Sequence, residues 1–145
     1  MKTLSVIAFV LLVPAILHAQ PGIPREVEFA LLRIEHAFQT GSPTSIEDLF
    51  PLATTMRLGD SLYWNVSSIT ALDLLKRYFD GKKEIMFQFE SPGSGTLIYS
   101  SAGRRDTVSV NVWLSRSRRE VSLYALNFSN YPLATIFMDI HRSRR

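Results

Sequence analysis

The stretch Asp106-Thr107-Val108-Ser109-Val110-Asn111-Val112-Trp113-Leu114-Ser115 places an apolar side chain at every second position of one row: Val108, Val110, Val112 and Leu114. Successive side chains of a strand point to opposite faces, so this row is the buried face of a sheet. The flanking segments read the same way. Upstream, Ile85, Phe87 and Phe89 alternate with Met86, Gln88 and Glu90. Ser91-Pro92-Gly93-Ser94-Gly95 then interrupts before Thr96 to Ser101, giving one long bent strand or two short ones. Downstream, Ser117-Arg118-Arg119 turns into a strand from Glu120 to Phe128. Ser129-Asn130-Tyr131-Pro132 turns into another from Leu133 to Ile140. The C-terminal half is therefore a strand meander.

The N-terminal half has a different period. From Glu26 to Thr40, Val27, Ala30, Leu31, Ile34, Ala37 and Phe38 recur at three and four, the pattern of an amphipathic helix, with Phe29 and Leu32 widening its apolar surface. Glu26 and Glu28 suit the N-terminal dipole, and Gly41 suits the stop. A short second helix is expected at Ser45 to Phe50, between Pro43 and Pro51. Alternation around Gly59-Asp60 predicts a hairpin that carries Met56, Leu58, Leu62 and Trp64. Ser67 and Ser68 then cap a third helix with Ile69, Leu72, Leu75 and Phe79 on one face, an Asp73/Arg77 pair on the other, and Asp80-Gly81 at its end. Segregated helices and strands indicate an α+β domain.

Composition limits what such a domain does. The chain has 145 residues, 46% hydrophobic, with 16 Lys+Arg, 13 Asp+Glu and no cysteine. One core is accommodated, and disulfides, thiolate zinc sites and cysteine nucleophiles are excluded. Lys2, the apolar run Leu4 to Leu17 and Ala19 form a secretory signal, with cleavage expected before Gln20. No later window is long enough to span a bilayer. The organisation read from the sequence is a signal peptide (1–19), an extended lead-in segment (20–25), one α+β domain (26–142) and a basic tail (143–145). The expected location is periplasmic or secreted.

Several segments together resemble a known group. Phe38-Gln39-Thr40-Gly41, Ile46-Glu47-Asp48-Leu49-Phe50, Met56-Arg57-Leu58-Gly59-Asp60-Ser61-Leu62-Tyr63 and Ala71-Leu72-Asp73-Leu74-Leu75-Lys76-Arg77-Tyr78-Phe79 are similar to small exported bacterial proteins of unknown function in the nuclear transport factor 2-like superfamily. The resemblance implies a cone: three N-terminal helices held in the concavity of a strongly curved antiparallel sheet, with a pocket at the wide end. That superfamily includes isomerases, dehydratases, lipid or steroid binders and interaction modules, so the fold alone assigns no activity. The group supplies no catalytic motif to carry over.

The residues themselves offer weak chemistry. His36 and His141 are the only histidines after the leader, too few for a metal site, and no cofactor is expected. Gly93-Ser94-Gly95 lies between strand segments and lacks the strand-to-helix setting of a nucleophile elbow. Ligand-pocket candidates are His36, Tyr63, Trp64 and Asp139. Acid/base work would need one carboxylate or histidine deep in the apolar pocket beside a second polar group, and no such pair stands out.

Strand counting gives one further feature. In a simple meander Arg104 and Arg105 mark one end of the sheet, and Arg116, Arg118 and Arg119 the other. The last strand delivers His141, Arg142, Arg144 and Arg145 to that second end, composing an anion-binding patch. Nucleic acid is not an expected partner of an exported domain. The expected function is a non-catalytic binding or interaction module for a small apolar ligand or an anionic surface, the alternative being a small isomerase- or dehydratase-type enzyme. Apolar residues on both faces of Glu120 to Phe128 point to a homodimer.

Overall fold

The computed structural model describes residues 22–130. Helix α1 spans Arg25–Thr40, with acidic Glu26 and Glu28 in its first turn. It stops at Gly41, whose left-handed φ of 63° lets Gly41 and Ser42 donate their N–H groups to the carbonyls of Phe38 and Ala37, at 3.3 and 2.9 Å. Its buried side is Ala30, Leu31, Ile34, Glu35, Ala37 and Phe38. The second helix is a 3-10 segment, Pro43–Leu49, rather than an α-helix. Helix α2, Ser68–Phe79, is capped by the Ser67 hydroxyl, which accepts from the Thr70 N–H at 3.2 Å. Asp73 and Arg77 pair at 2.9 Å on its exposed side, as the spacing predicts. Ile69, expected on the core face, is 81% exposed. The core side of α2 centres on Ala71, Leu72, Leu75 and Phe79, and at ~100° per residue Ile69 falls on its flank.

Six strands follow the predicted succession: β1 Thr54–Leu58, β2 Ser61–Val66, β3 Lys83–Ser91, β4 Ser94–Ser101, β5 Arg104–Ser117 and β6 Glu120–Phe128. The interruption near Ser91 is a two-residue turn, Pro92-Gly93, with Gly93 at φ 84°. Proline sets the first corner and glycine takes the positive φ of the second.

The sheet order is β2-β1-β6-β5-β4-β3. This corrects the all-antiparallel expectation, because β1 and β6 pair in parallel, Met56 opposite Leu126 and Leu58 opposite Phe128. Tight turns force antiparallel neighbours within the hairpin and the meander, whereas α2 and four strands separate β1 from β6 and leave their relative direction free. The strand expected at Leu133 to Ile140 lies outside the described residues. Its anticipated place beside β6 is taken by β1.

The sheet is curved and mixed, with the helices on one face. The row Val110 and Val112 is buried as read, continuing through Leu126 and Phe128 on β6 and Gly95 and Leu97 on β4. On β6 the register shifts, so that Trp113 faces Ala125 while Leu114 faces Leu123. Tyr124 is the extra residue and is 41% exposed. This bulge turns Leu123, Leu126 and Phe128 to the same core, a placement that strict alternation divides between two faces. At the centre Phe38 packs against Phe128, Phe87 and Phe79, with ring centroids 5.0, 5.2 and 5.8 Å away.

Candidate functional site

A cavity of about 410 Å³, within the usual range of small-ligand pockets, lies where the end of α2, the β1–β2 turn and the end of β6 meet, and it is the counterpart of the wide-end pocket that the resemblance implies. Alternation on β4 and β5 supplies two walls. Leu97 pairs with Val108 and Tyr99 with Asp106, so Tyr99 and Val108 continue the core row outward to the rim. Helix α2 contributes Tyr78 from its last turn, and β6 contributes Phe128 from its end. The Gly59-Asp60 turn closes one side, where the Gly59 N–H donates to the Phe128 carbonyl at 2.8 Å. Asn130 holds another side, its Oδ1 accepting from the Ser109 N–H at 3.1 Å.

The two tyrosines are linked. Burial first, then the neighbouring Tyr99, push the Tyr78 phenol far above its ordinary range. Burial and the neighbouring Asp106 raise the Tyr99 phenol, and the neighbouring Tyr78 opposes them. Both phenols therefore stay protonated at neutral pH and serve as hydrogen-bond donors with aromatic faces. Lys82 covers them. Its ammonium donates to the main-chain carbonyl of Tyr78 and lies 3.9 Å from the Tyr78 ring centroid and 4.7 Å from that of Tyr99. Burial lowers the Lys82 pKa, and Asp106 acts in the opposite direction.

A second, larger concavity of about 680 Å³ opens between the start of α1, the segment Leu49 to Leu52 and the β5–β6 turn. Charge pairs cross it. Arg33 grips Asp48 through two hydrogen bonds of 3.0 and 2.5 Å and also donates to the Ser45 carbonyl at 2.8 Å. Arg116 lies 3.4 Å from Glu26. Its cations are thus matched by Asp48, Glu26 and Glu120, whereas the smaller wide-end pocket gathers aromatic walls around hydrogen-bonding groups. The latter arrangement is the one that suits a small ligand.

The residues expected at a pocket are dispersed. His36 is exposed on α1 and borders a separate shallow depression with Leu32, Arg33 and Ser45. Tyr63 is half-buried against the core, opposite Met56, and Trp64 points to the other face of β2. Neither lines the wide-end pocket. Arg116, Arg118 and Arg119 are exposed at the far end of β5 and in its turn, opposite Arg104 and Arg105 as the strand count predicts. Asp139, His141, Arg142, Arg144 and Arg145 lie outside the described residues. Among the described residues no group of three or more histidine or acidic side chains is placed to hold a metal. Sequence reading missed Tyr78, Tyr99, Phe128 and Asn130. The outward continuation of the Gly95, Leu97 row signals Tyr99, but what brings Tyr78 and Phe128 to it is long-range topology.

No protein-family model and no curated protein matches the chain. Solved structures do. A designed protein, Rd1NTF2_04 with long sheet, superposes with a TM-score of 0.58 at 15% identity, covering 71% of this chain and 99% of its own. A DUF4783 family protein from Bacteroides fragilis gives 0.54 at 14% identity, over 75% of this chain and 99% of its own. Another from Bacteroides ovatus gives 0.51 at 14% identity, over 78% and 99%. The fold is nuclear transport factor 2-like. The resemblance read from the sequence is thereby supported at the level of fold, and these likenesses carry no ligand or activity with them.

Proposed function

We propose that the protein is an exported, non-catalytic binding module that seats a small, mainly apolar ligand in the wide-end pocket. The observation that carries this reading is the convergence of Tyr78, Tyr99, Val108 and Phe128 on one cavity of about 410 Å³, with Asp60, Ser129 and Asn130 at its edge. A catalytic pocket of isomerase or dehydratase type calls for a desolvated carboxylate or histidine among those walls. Among the described residues, Asp60 at its edge and Asp106 nearby are exposed instead. Glu35 is a buried carboxylate, but it accepts the Phe89 N–H at 3.0 Å and does not line the pocket. Export rests on the N-terminal signal in the sequence.

The test is a thermal-shift and NMR screen of small aromatic and alicyclic compounds against the wild type and Val108→Trp, whose indole fills the cavity. Compounds that raise the melting temperature of the wild type and shift Tyr99 resonances, with both effects lost in Val108→Trp, support the reading. Binders that perturb only the Arg33–Asp48 concavity, or equal binding to both proteins, overturn it.

A further inference from the structure

We propose that the ligand of the wide-end pocket is an extended peptide of a partner protein, which pairs with the free edge of β5 and sets one apolar side chain into the cavity. This rests on reading the pocket as the binding site and names the ligand class that the site takes.

The two neighbours of β5 cover different lengths of it. β4 pairs with Arg104 to Asn111, whereas β6 pairs with Val110 to Ser117. On the β6 side, therefore, no described strand pairs with Arg104 to Val108, and Arg104 to Thr107 are exposed. Main-chain groups alternate between the two sides of a strand, so those of Ser109, Thr107 and Arg105 point to the side on which β6 ends. Amides already sit there. The Ser129 N–H donates to the Ser109 carbonyl at 3.1 Å, and the Asn130 side chain accepts from the Ser109 N–H at 3.1 Å and donates to the Thr107 carbonyl at 3.5 Å. The Asn130 carboxamide thus takes the position of a peptide group just past the end of β6. Beyond it, the Thr107 N–H and both main-chain groups of Arg105 present the edge to an added strand.

The two faces of that strand set its chemistry. Val108 and Tyr99 line the cavity and Asp106 pairs with Tyr99, so a residue opposite Asp106 points to the cavity side, toward the walls formed by Tyr78, Val108 and Phe128. Its two neighbours point to the other face, one opposite Thr107 and one opposite Arg105. Arg105 is exposed and makes no ion pair with another described residue. Opposite charges and Thr–Thr pairs across a ladder are favourable. A peptide running antiparallel to β5, in line with β6, therefore suits the site with threonine opposite Thr107, leucine in the cavity and glutamate opposite Arg105.

The probe is acetyl-Ser-Thr-Leu-Glu-Ser-amide, titrated into the full chain by NMR. Beside it run a form N-methylated at Leu, a form N-methylated at Glu, and a form with Lys in place of Glu. The parent peptide should slow amide exchange at Thr107 and Arg105 and shift Tyr99 resonances. N-methylation at Glu, whose N–H meets the Arg105 carbonyl, should weaken binding at least tenfold. N-methylation at Leu, whose N–H points away from β5, should change it less than threefold. Lys for Glu should weaken binding at least threefold, and Arg105→Glu, with its unfolding midpoint confirming the fold, should reverse that preference. Equal losses from the two N-methyl forms, or unchanged exchange at Thr107 and Arg105, overturn the added strand. The pocket reading survives that result where small apolar compounds still shift Tyr99, and falls with it where they do not. A folded chain ending at Asn130 should bind the parent peptide within threefold of the full chain. A tenfold gain there makes residues 131–145 the occupant of the edge and overturns the partner peptide.

Discussion

The edge of β3 is held by two side chains of α1, and removing them is the most direct test of how the helix is tied to the sheet. Glu35 accepts the Phe89 N–H at 3.0 Å, and Gln39, one turn later, donates to the Phe87 carbonyl at 2.9 Å. These are edge groups that β4, on the other side of β3, does not pair, and an unpaired edge invites association with another strand. Glu35 is 7% exposed and Phe89 4%, so Glu35→Ala strands a buried N–H without an acceptor, at a cost of about 1–3 kcal/mol. With a urea slope on the order of 1.5 kcal/mol/M, the middle of that range lowers the midpoint by about 1 M. Glu35→Gln keeps an acceptor and loses only the charge assistance, so its shift should be about half as large. Gln39→Ala should cost about 0.5–1.5 kcal/mol. The assay is urea unfolding together with amide exchange at Phe89. Exchange at that amide should accelerate in Glu35→Ala more than in Glu35→Gln. A Glu35→Ala midpoint within 0.2 M of the wild type, with Phe89 exchange unchanged, refutes the reasoning.

Three other outcomes follow from named contacts. Gly95→Ala places a Cβ 2.4 Å from the Gln88 carbonyl oxygen and 3.0 Å from the Phe87 ring, and should destabilise by about 1–3 kcal/mol in thermal or urea melts. Arg33 holds the Asp48 carboxyl below its ordinary pKa, so the pair contributes stability above the unfolded carboxylate range that is lost as pH falls through the lowered value. With Asp48 largely exposed, Asp48→Asn should cost about 0.2–1 kcal/mol at pH 7, a deficit that begins to shrink below about pH 4 and is gone once pH has fallen through the lowered value, in melts run across pH. Processing of the exported form should leave Gln20 at the N-terminus, and recovery of Met1 by N-terminal sequencing contradicts the leader reading.

Local signals were readable wherever local physics decides the structure. The Val110 and Val112 row, the Pro92-Gly93 turn, the Ser67 cap and the Gly41 stop each depend on residues within a few positions of one another. Pairing of β1 with β6 has no such signal. Thr55 meets Ala125 across 69 intervening residues, and neither segment specifies the direction of its neighbour. The bulge at Tyr124 was hidden for a related reason. Period-two reading assigns Leu123 and Leu126 to opposite faces, and only the register against β5 reveals that both reach the core. That register weakens the argument for a homodimer drawn from two apolar faces of one strand, since much of the second face is the first one shifted by a residue. The site residues were illegible for both reasons together, because the pocket exists only where the end of α2, the β1–β2 turn and the end of β6 are brought to one place.

The aromatic groups of the pocket are continuous with the core. Tyr78 contacts Phe128 at 4.8 Å between centroids, Phe128 contacts Phe38 at 5.0 Å, and Phe38 contacts Phe87 at 5.2 Å. Changing the inner walls to suit a new ligand therefore alters packing at Phe38, where substitutions cost several kcal/mol. Asp60 and Asn130 are under no such constraint, because each is exposed at the rim. Within this architecture the apolar inner walls of the cavity are shared with the core, whereas its exposed rim groups are not. A substitution at Asp60 or Asn130 therefore probes the pocket at little cost in stability, whereas one at Phe128 perturbs the pocket and the core together.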